Sequence, residues 1–205
     1  MSYENEADQY LRMLASNQEL GFDTETSGLK WNTCHVCGYG VSDGNDSFYV
    51  PVRHEGGANI NNVEEFEKQV AAIITDRKKT LIAQNAKFDM HFCENHGIKI
   101  TQVVDTMVMG ALLNENRFSY SLKNLCKEHP DIVQKDDKVI YQYLGTLFDC
   151  KPDASSMGNF HRLAGDDPIG VAYAKSDNVA VKQLWDKQKK QLYSEQLDMV
   201  QGLET

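Results

Sequence analysis

The stretch Gly21-Phe22-Asp23-Thr24-Glu25-Thr26-Ser27-Gly28-Leu29 constrains this chain more than any other. It follows an apolar approach through Leu20 and Phe22 and ends at a glycine turn. In a β-strand, residues two apart point to the same face. Asp23 and Glu25 therefore present a pair of carboxylates on one side of a strand near its end. Like charges that close repel, and each loses hydration on burial. A hard divalent cation relieves both costs, because oxygen donors suit Mg²⁺, Mn²⁺ or Ca²⁺. The bland alternative is a polar surface turn, so the pair needs support from elsewhere in the chain.

With 205 residues the chain fits one domain with a full core. No apolar run approaches the length of a membrane span, and Met1–Gln9 is acidic and polar, so an intracellular protein is expected. The five cysteines are an odd number for a disulfide framework and fall in unrelated contexts. Cys34-His35-Val36-Cys37 lacks the second ligand pair that a structural zinc site requires. The formal charge of −9 argues against holding nucleic acid by bulk electrostatics. Clustered carboxylates that take up divalent cations, or a tethered partner, would change that balance.

Taken in order, Ser2–Ser16 reads as a helix that Ser2 can cap, with Ala7, Tyr10, Leu11 and Leu14 as its apolar stripe. Glu19–Glu25 is the first strand. Cys34–Ser42 and Ser47–Val52 form a hairpin around Asp43-Gly44-Asn45-Asp46. Asn62–Thr75 has helical spacing, and Thr80–Ala83 is a short strand. Met90–His96 follows as a helix, with His91 and His96 on its surface or edge. Gln102–Val104 is a strand, and Asp105-Thr106-Met107 opens a helix through Leu113. Ser119–Glu128 and Val139–Leu147 are helical, Lys151–Gly158 is a loop, and Ile169–Lys190 is a long amphipathic helix. Residues 191–205 are weakly helical. Hairpin strands followed by alternating helices and strands predict an α/β fold, a mixed sheet flanked by helices.

Further pieces complement Asp23 and Glu25. Asp89 ends Asn85-Ala86-Lys87-Phe88-Asp89, just after a strand, where α/β sheets expose functional groups. Taken alone it reads equally well as a carboxylate stabilised by a helix N-terminus. Tyr173 and Asp177 share a helix face at four-residue spacing. Alone, that pair reads better as a packed phenol beside a solvated acid. Together Asp23, Glu25, Asp89 and Asp177, without a His or Cys cluster, point to an oxygen-donor site for two metal ions.

These motifs resemble the DEDD superfamily of 3′–5′ exonucleases, which has a ribonuclease-H-like fold. Within it the chain is similar to the proofreading exonuclease domain of family-A DNA polymerases, including those of phages. Asp23-Thr24-Glu25, Asn85-x-Lys-Phe-Asp89 and Tyr173-x-x-x-Asp177 match its three motifs in order, and the match spans most of the chain. Asp105-Thr106-Met107-Val108-Met109 and Ser119–Leu125 stand where that family has similar segments. The resemblance implies that Asp23, Glu25, Asp89 and Asp177 hold two Mg²⁺ or Mn²⁺ ions and that Tyr173 positions the attacking water. It also implies that Thr26, Leu29 and Asn85 meet the substrate, Leu29 by packing on the terminal base, whereas Phe88 reads as core. Single-stranded DNA 3′ ends would be hydrolysed to 5′-nucleotides in the cytoplasm of a bacterial or phage-infected cell. Residues 1–205 would form one exonuclease domain, with Leu197, Val200 and Leu203 resembling the start of a connection to a polymerase domain or subunit.

A sister branch uses His five residues before the last Asp, a spacing met by His161 and Asp166. Gly165, Pro168 and Gly170 would break the helix needed there, so Tyr173 is favoured. Two other readings compete. One is an RNA 3′-end-processing exonuclease like ribonuclease D, which shares these residues. The other is a non-catalytic docking module of a polymerase, which would not need all five.

Overall fold

The computed structural model describes residues 3–75 and 79–197. Its core is one five-stranded sheet in the order β3-β2-β1-β4-β5. The strands are β1 (Glu19–Thr26), β2 (Val36–Ser42), β3 (Ser47–Pro51), β4 (Thr80–Ala83) and β5 (Val103–Asp105). β1 pairs antiparallel with β2 and parallel with β4, which makes it the central strand and the sheet mixed. The β2–β3 turn is held by Asp43, whose carboxylate accepts from the amides of Asn45 and Asp46 at 2.8 and 2.9 Å. Gly44 there has φ +99°, a conformation that only glycine adopts without strain.

Alternation along β1 sorts its side chains onto two faces. Leu20 and Phe22 are buried with residues of α1 (Tyr3–Ser16) and α2 (Val63–Ile74), including Tyr10, Leu14, Phe66 and Val70. Gly21, Asp23 and Glu25 face the long helix α7 (Pro168–Ser194). An added Cβ at Gly21 would lie 2.4 Å from the Asn178 carbonyl oxygen, so this glycine lets α7 settle directly on the strand. Further along, Ala180, Val181, Leu184 and Trp185 of α7 pack with Ile82, Val104 and residues of α4 (Thr106–Leu113) and α5 (Leu122–Cys126). α7 starts at Pro168 as its first residue, and the Asp167 side chain caps it by accepting from the amides of Ile169 and Gly170.

Several expected boundaries move. Helix α3 spans Ala86–Asn95, not Met90–His96, so Asp89 lies in its first turn. The Asp105 carboxylate accepts from the amides of Asn85 and Ala86, at 3.0 and 2.8 Å, as well as from Met107. One side chain thereby satisfies free N–H groups at the starts of both α3 and α4, a long-range tie that periodicity does not reveal. α5 covers only Leu122–Cys126 of the expected Ser119–Glu128. The supposed loop at Lys151–Gly158 is largely a 3-10 helix, Ala154–Arg162, capped by Asp153. α6 spans Lys138–Leu147. His96 stands at the C-terminal edge of α3, partly buried, with its ring 3.4 Å from the Glu67 carboxylate. Cys34 and Cys37 are free thiols. The cap proposed at Ser2 and the tail positions Val200 and Leu203 lie outside the described residues. Among those described, no helix is long and apolar enough to cross a membrane.

Candidate active site

The end of β1 and the first turns of α7 bring three carboxylates together. Asp23, Glu25 and Asp177 each place an oxygen so that these atoms all lie within 4.8 Å of one another. Glu25 and Asp177 are only 8% and 7% exposed. Burial pushes the Glu25 carboxyl up to about 8, with the neighbouring Asp23 charge acting in the same direction. Burial likewise raises Asp23 to about 6, against the pull of Lys135 and the Thr24 amide. Without a cation this arrangement is strained in charge.

Asp89 approaches β1 from the α3 side and is 1% exposed. Its Oδ1 accepts from the Thr24 amide at 3.0 Å and from the Thr24 hydroxyl at 2.6 Å. The pairing of β1 with β4 ends at Gly21, which leaves the Thr24 N–H available. Asp89 is not one of the three converging acids, but it feels the Asp23 charge, which together with burial holds its carboxyl well above the usual range.

Tyr173 stands one turn before Asp177 on α7, against Phe160 at 6.0 Å. Burial holds its phenol protonated far above the ordinary value. His161 lies at the end of the 3-10 helix beside Glu55, at 3.5 Å. Asp166 precedes the cap of α7 and is not among the converging acids.

A cleft of about 540 Å³ opens over this group, lined by Asp23, Glu25, Thr26, Gly28, Leu29, Phe88, Tyr173 and Asp177. That volume suits a small ligand or the end of a chain. Thr26 donates its hydroxyl to the Gly28 carbonyl at 2.8 Å, which shapes the turn at the rim. Leu29 is 85% exposed on that rim. Phe88, expected in the core, both packs on Phe92 at 4.8 Å and lines the cleft. Asn85 has φ +62° at the start of α3, is exposed, and does not line the cleft.

Two contributors escaped the sequence. Ala154, Ser155, Met157 and Gly158 of the 3-10 helix form the far wall. Lys135, between α5 and α6, puts its ammonium into the acidic group. It donates to Asp177 Oδ2 and to the Tyr173 hydroxyl, the latter at 2.8 Å, and lies 3.9 Å from the Tyr173 ring centroid. The only hint in the sequence is the charge cluster Lys135-Asp136-Asp137, which reads equally well as solvated surface.

The donor set fits a divalent cation. All its ligands are oxygens, and Asp177 Oδ1 is buried with no hydrogen-bond partner. A buried carboxylate oxygen without a donor, on a residue that converges with two further acids, asks for positive charge.

A family model described as 3′–5′ exonuclease, of the DNA polymerase A type, matches residues 1–193. DNA polymerase DpoZ of Salmonella phage PMBT28 is 28% identical over 200 residues, which is 93% of this chain but 29% of that protein. The chain therefore spans under a third of that relative's length. The catalytic core of RRP6 from Trypanosoma brucei superposes with a TM-score of 0.73 at 15% identity, covering 98% of this chain and 48% of the other. NrnC from Brucella melitensis superposes at 18% identity over 88% of this chain and 76% of the other. Its TM-score is 0.59 for the structure with bound Mg²⁺ and 0.64 for the one bound to pGG. These likenesses give the sheet its class, a ribonuclease-H-like fold. By the match over residues 1–193, the chain belongs to the 3′–5′ exonuclease family of the DNA polymerase A type.

Proposed function

We propose that residues 1–205 form one metal-dependent exonuclease domain that hydrolyses single-stranded DNA from its 3′ end, releases 5′-nucleotides, and proofreads for a DNA polymerase domain or subunit. The observation that carries this reading is the convergence of Asp23, Glu25 and Asp177 with the unpartnered Asp177 Oδ1. Asp23, Glu25 and Asp177 would hold Mg²⁺ or Mn²⁺ directly. Asp89, fixed by Thr24, would complete the set for a second ion. Such ions supply Lewis acidity toward a phosphodiester and lower the pKa of water. The protein's own share is positional. The protonated Tyr173 hydroxyl orients the attacking water from one turn away on α7. Leu29 offers an exposed apolar side chain for the terminal base, and Thr26 holds the turn that presents it. Asn85 would stand near the terminal nucleotide from the start of α3, outside the cleft lining.

DNA is preferred over RNA as substrate because the relative that covers 93% of the chain is named a DNA polymerase. A net charge of −9 gives little grip on a polyanion, which suits a domain that borrows affinity from an attached or associated polymerase in a bacterial or phage-infected cell. The test is degradation of 5′-labelled single-stranded DNA and RNA of one sequence, side by side, with Mg²⁺. Stepwise shortening of DNA that is lost in D23A/E25A supports the reading. Faster loss of RNA replaces proofreading with RNA processing. Hydrolysis that survives in D23A/E25A overturns the site assignment.

A further inference from the structure

We propose that Lys135 is a displaceable internal cation: its ammonium competes with a divalent ion for the Asp177 carboxylate and yields it by releasing Asp177 while keeping its ion pair with Asp137. The inference rests on the reading of Asp177 as a metal ligand. Lys135 Nζ reaches Asp177 Oδ2, the Tyr173 hydroxyl and the face of the Tyr173 ring at once. Its side chain is only 10% exposed. A cation so enclosed by acids does the electrostatic work of a metal, and the two cannot share Asp177 Oδ2.

The loop that carries it is anchored. The Val133 backbone N–H donates to the Gln183 side chain of α7 at 2.8 Å, and the Gln134 side-chain Nε2 donates to the carbonyls of Cys126, His129 and Ile132. Movement therefore belongs to the flexible Lys135 side chain and not to the backbone. An alternative partner is already in contact. Asp137 Oδ1 lies 3.3 Å from the ammonium, and the Asp137 side chain is 15% exposed. Binding of the divalent ion and the Lys135–Asp177 contact are thus mutually exclusive, and each weakens the other by the same factor.

The test is Mn²⁺ titration of the full chain, read by calorimetry and by the free-ion spin resonance signal, beside thermal melts without metal. The expected result is that K135M and K135Q bind Mn²⁺ about tenfold tighter than the wild type and melt lower without it. D137N should bind Mn²⁺ more weakly, and that loss should disappear in K135M/D137N, because the alternative partner matters only when Lys135 is present. Unchanged or weaker Mn²⁺ binding in both folded Lys135 variants overturns the proposal while leaving the metal site intact. A D137N loss that persists without Lys135 overturns the role given to Asp137. A wild type that takes up no Mn²⁺ overturns the metal-site reading itself, and the proposal with it.

Discussion

Asp89 on α3 holds Thr24 on β1 through two hydrogen bonds to a single carboxylate oxygen, at 3.0 Å from the amide and 2.6 Å from the hydroxyl. This contact joins residues far apart in sequence and fixes the strand segment between Asp23 and Glu25. T24V keeps the amide bond and the side-chain shape but removes the hydroxyl. The buried carboxylate then loses one donor, which costs about 1–3 kcal/mol. A drop of about 2–4 °C in Tm for each kcal/mol is expected for a chain of this size. Mg²⁺-dependent hydrolysis should fall as well. An unchanged melt would show that the hydroxyl contributes nothing to the contact.

The same contact shows how much of the molecule could be read in advance. The strand of Asp23 and Glu25, the long helix of Tyr173 and Asp177, and the hairpin between Ser42 and Ser47 were legible because their signals are local: period-two alternation, four-residue spacing, and Asp43-Gly44 turn chemistry. The start of α3 is not legible in the local sequence because it depends on Asp105, far along the chain, accepting from Asn85 and Ala86. Lys135 was invisible for a related reason. Its loop lacks hydrophobic periodicity and is positioned by polar bonds to α7 and to its own backbone. Lys151–Gly158, which includes the start of the 3-10 wall at Ala154–Arg162, reads as loop because Pro152, Ser155, Ser156 and Gly158 interrupt any periodicity.

Gly21 is a second place where fold and site meet. G21A sets a methyl against the Asn178 carbonyl oxygen, at 2.4 Å if nothing moves. Since backbone cannot yield as a side-chain tip can, α7 must shift away from β1. Overpacking of this kind costs about 1–3 kcal/mol. Asn178 directly follows Asp177, so the shift should also separate Asp177 from Asp23 and Glu25. The expected outcome is weaker Mn²⁺ binding together with a lower Tm. A lowered Tm with unchanged Mn²⁺ affinity would show that the carboxylates tolerate the displacement.

Y173F separates positioning from metal holding. The phenol is protonated, accepts from Lys135, and is not one of the three converging acids. Loss of its hydroxyl should lower kcat about a hundredfold, the cost of a misplaced reactant, and leave Mn²⁺ affinity within a few-fold of the wild type. A collapse of Mn²⁺ binding would assign the hydroxyl to the metal instead of to the water.

The final expectation concerns pH. Asp23 and Glu25 rise from ordinary values of 3.8 and 4.5 to about 6 and about 8 in the folded, metal-free site. A carboxyl whose folded pKa is raised binds its proton more tightly when folded. The stability it contributes is complete below the unfolded values and is lost as pH climbs through 6 and then 8. The metal-free protein should therefore melt at falling temperature between about pH 5 and about pH 8.5. Divalent cations compete with those protons, so Mg²⁺ should bind more tightly as pH rises over the same window and flatten the decline in Tm. Hydrolysis should climb in parallel, since both metal uptake and deprotonation of the attacking water favour alkaline pH. Melts across that range, with and without Mg²⁺, check the sign: a metal-free Tm that rises with pH would mean that the acids are not buried together as described.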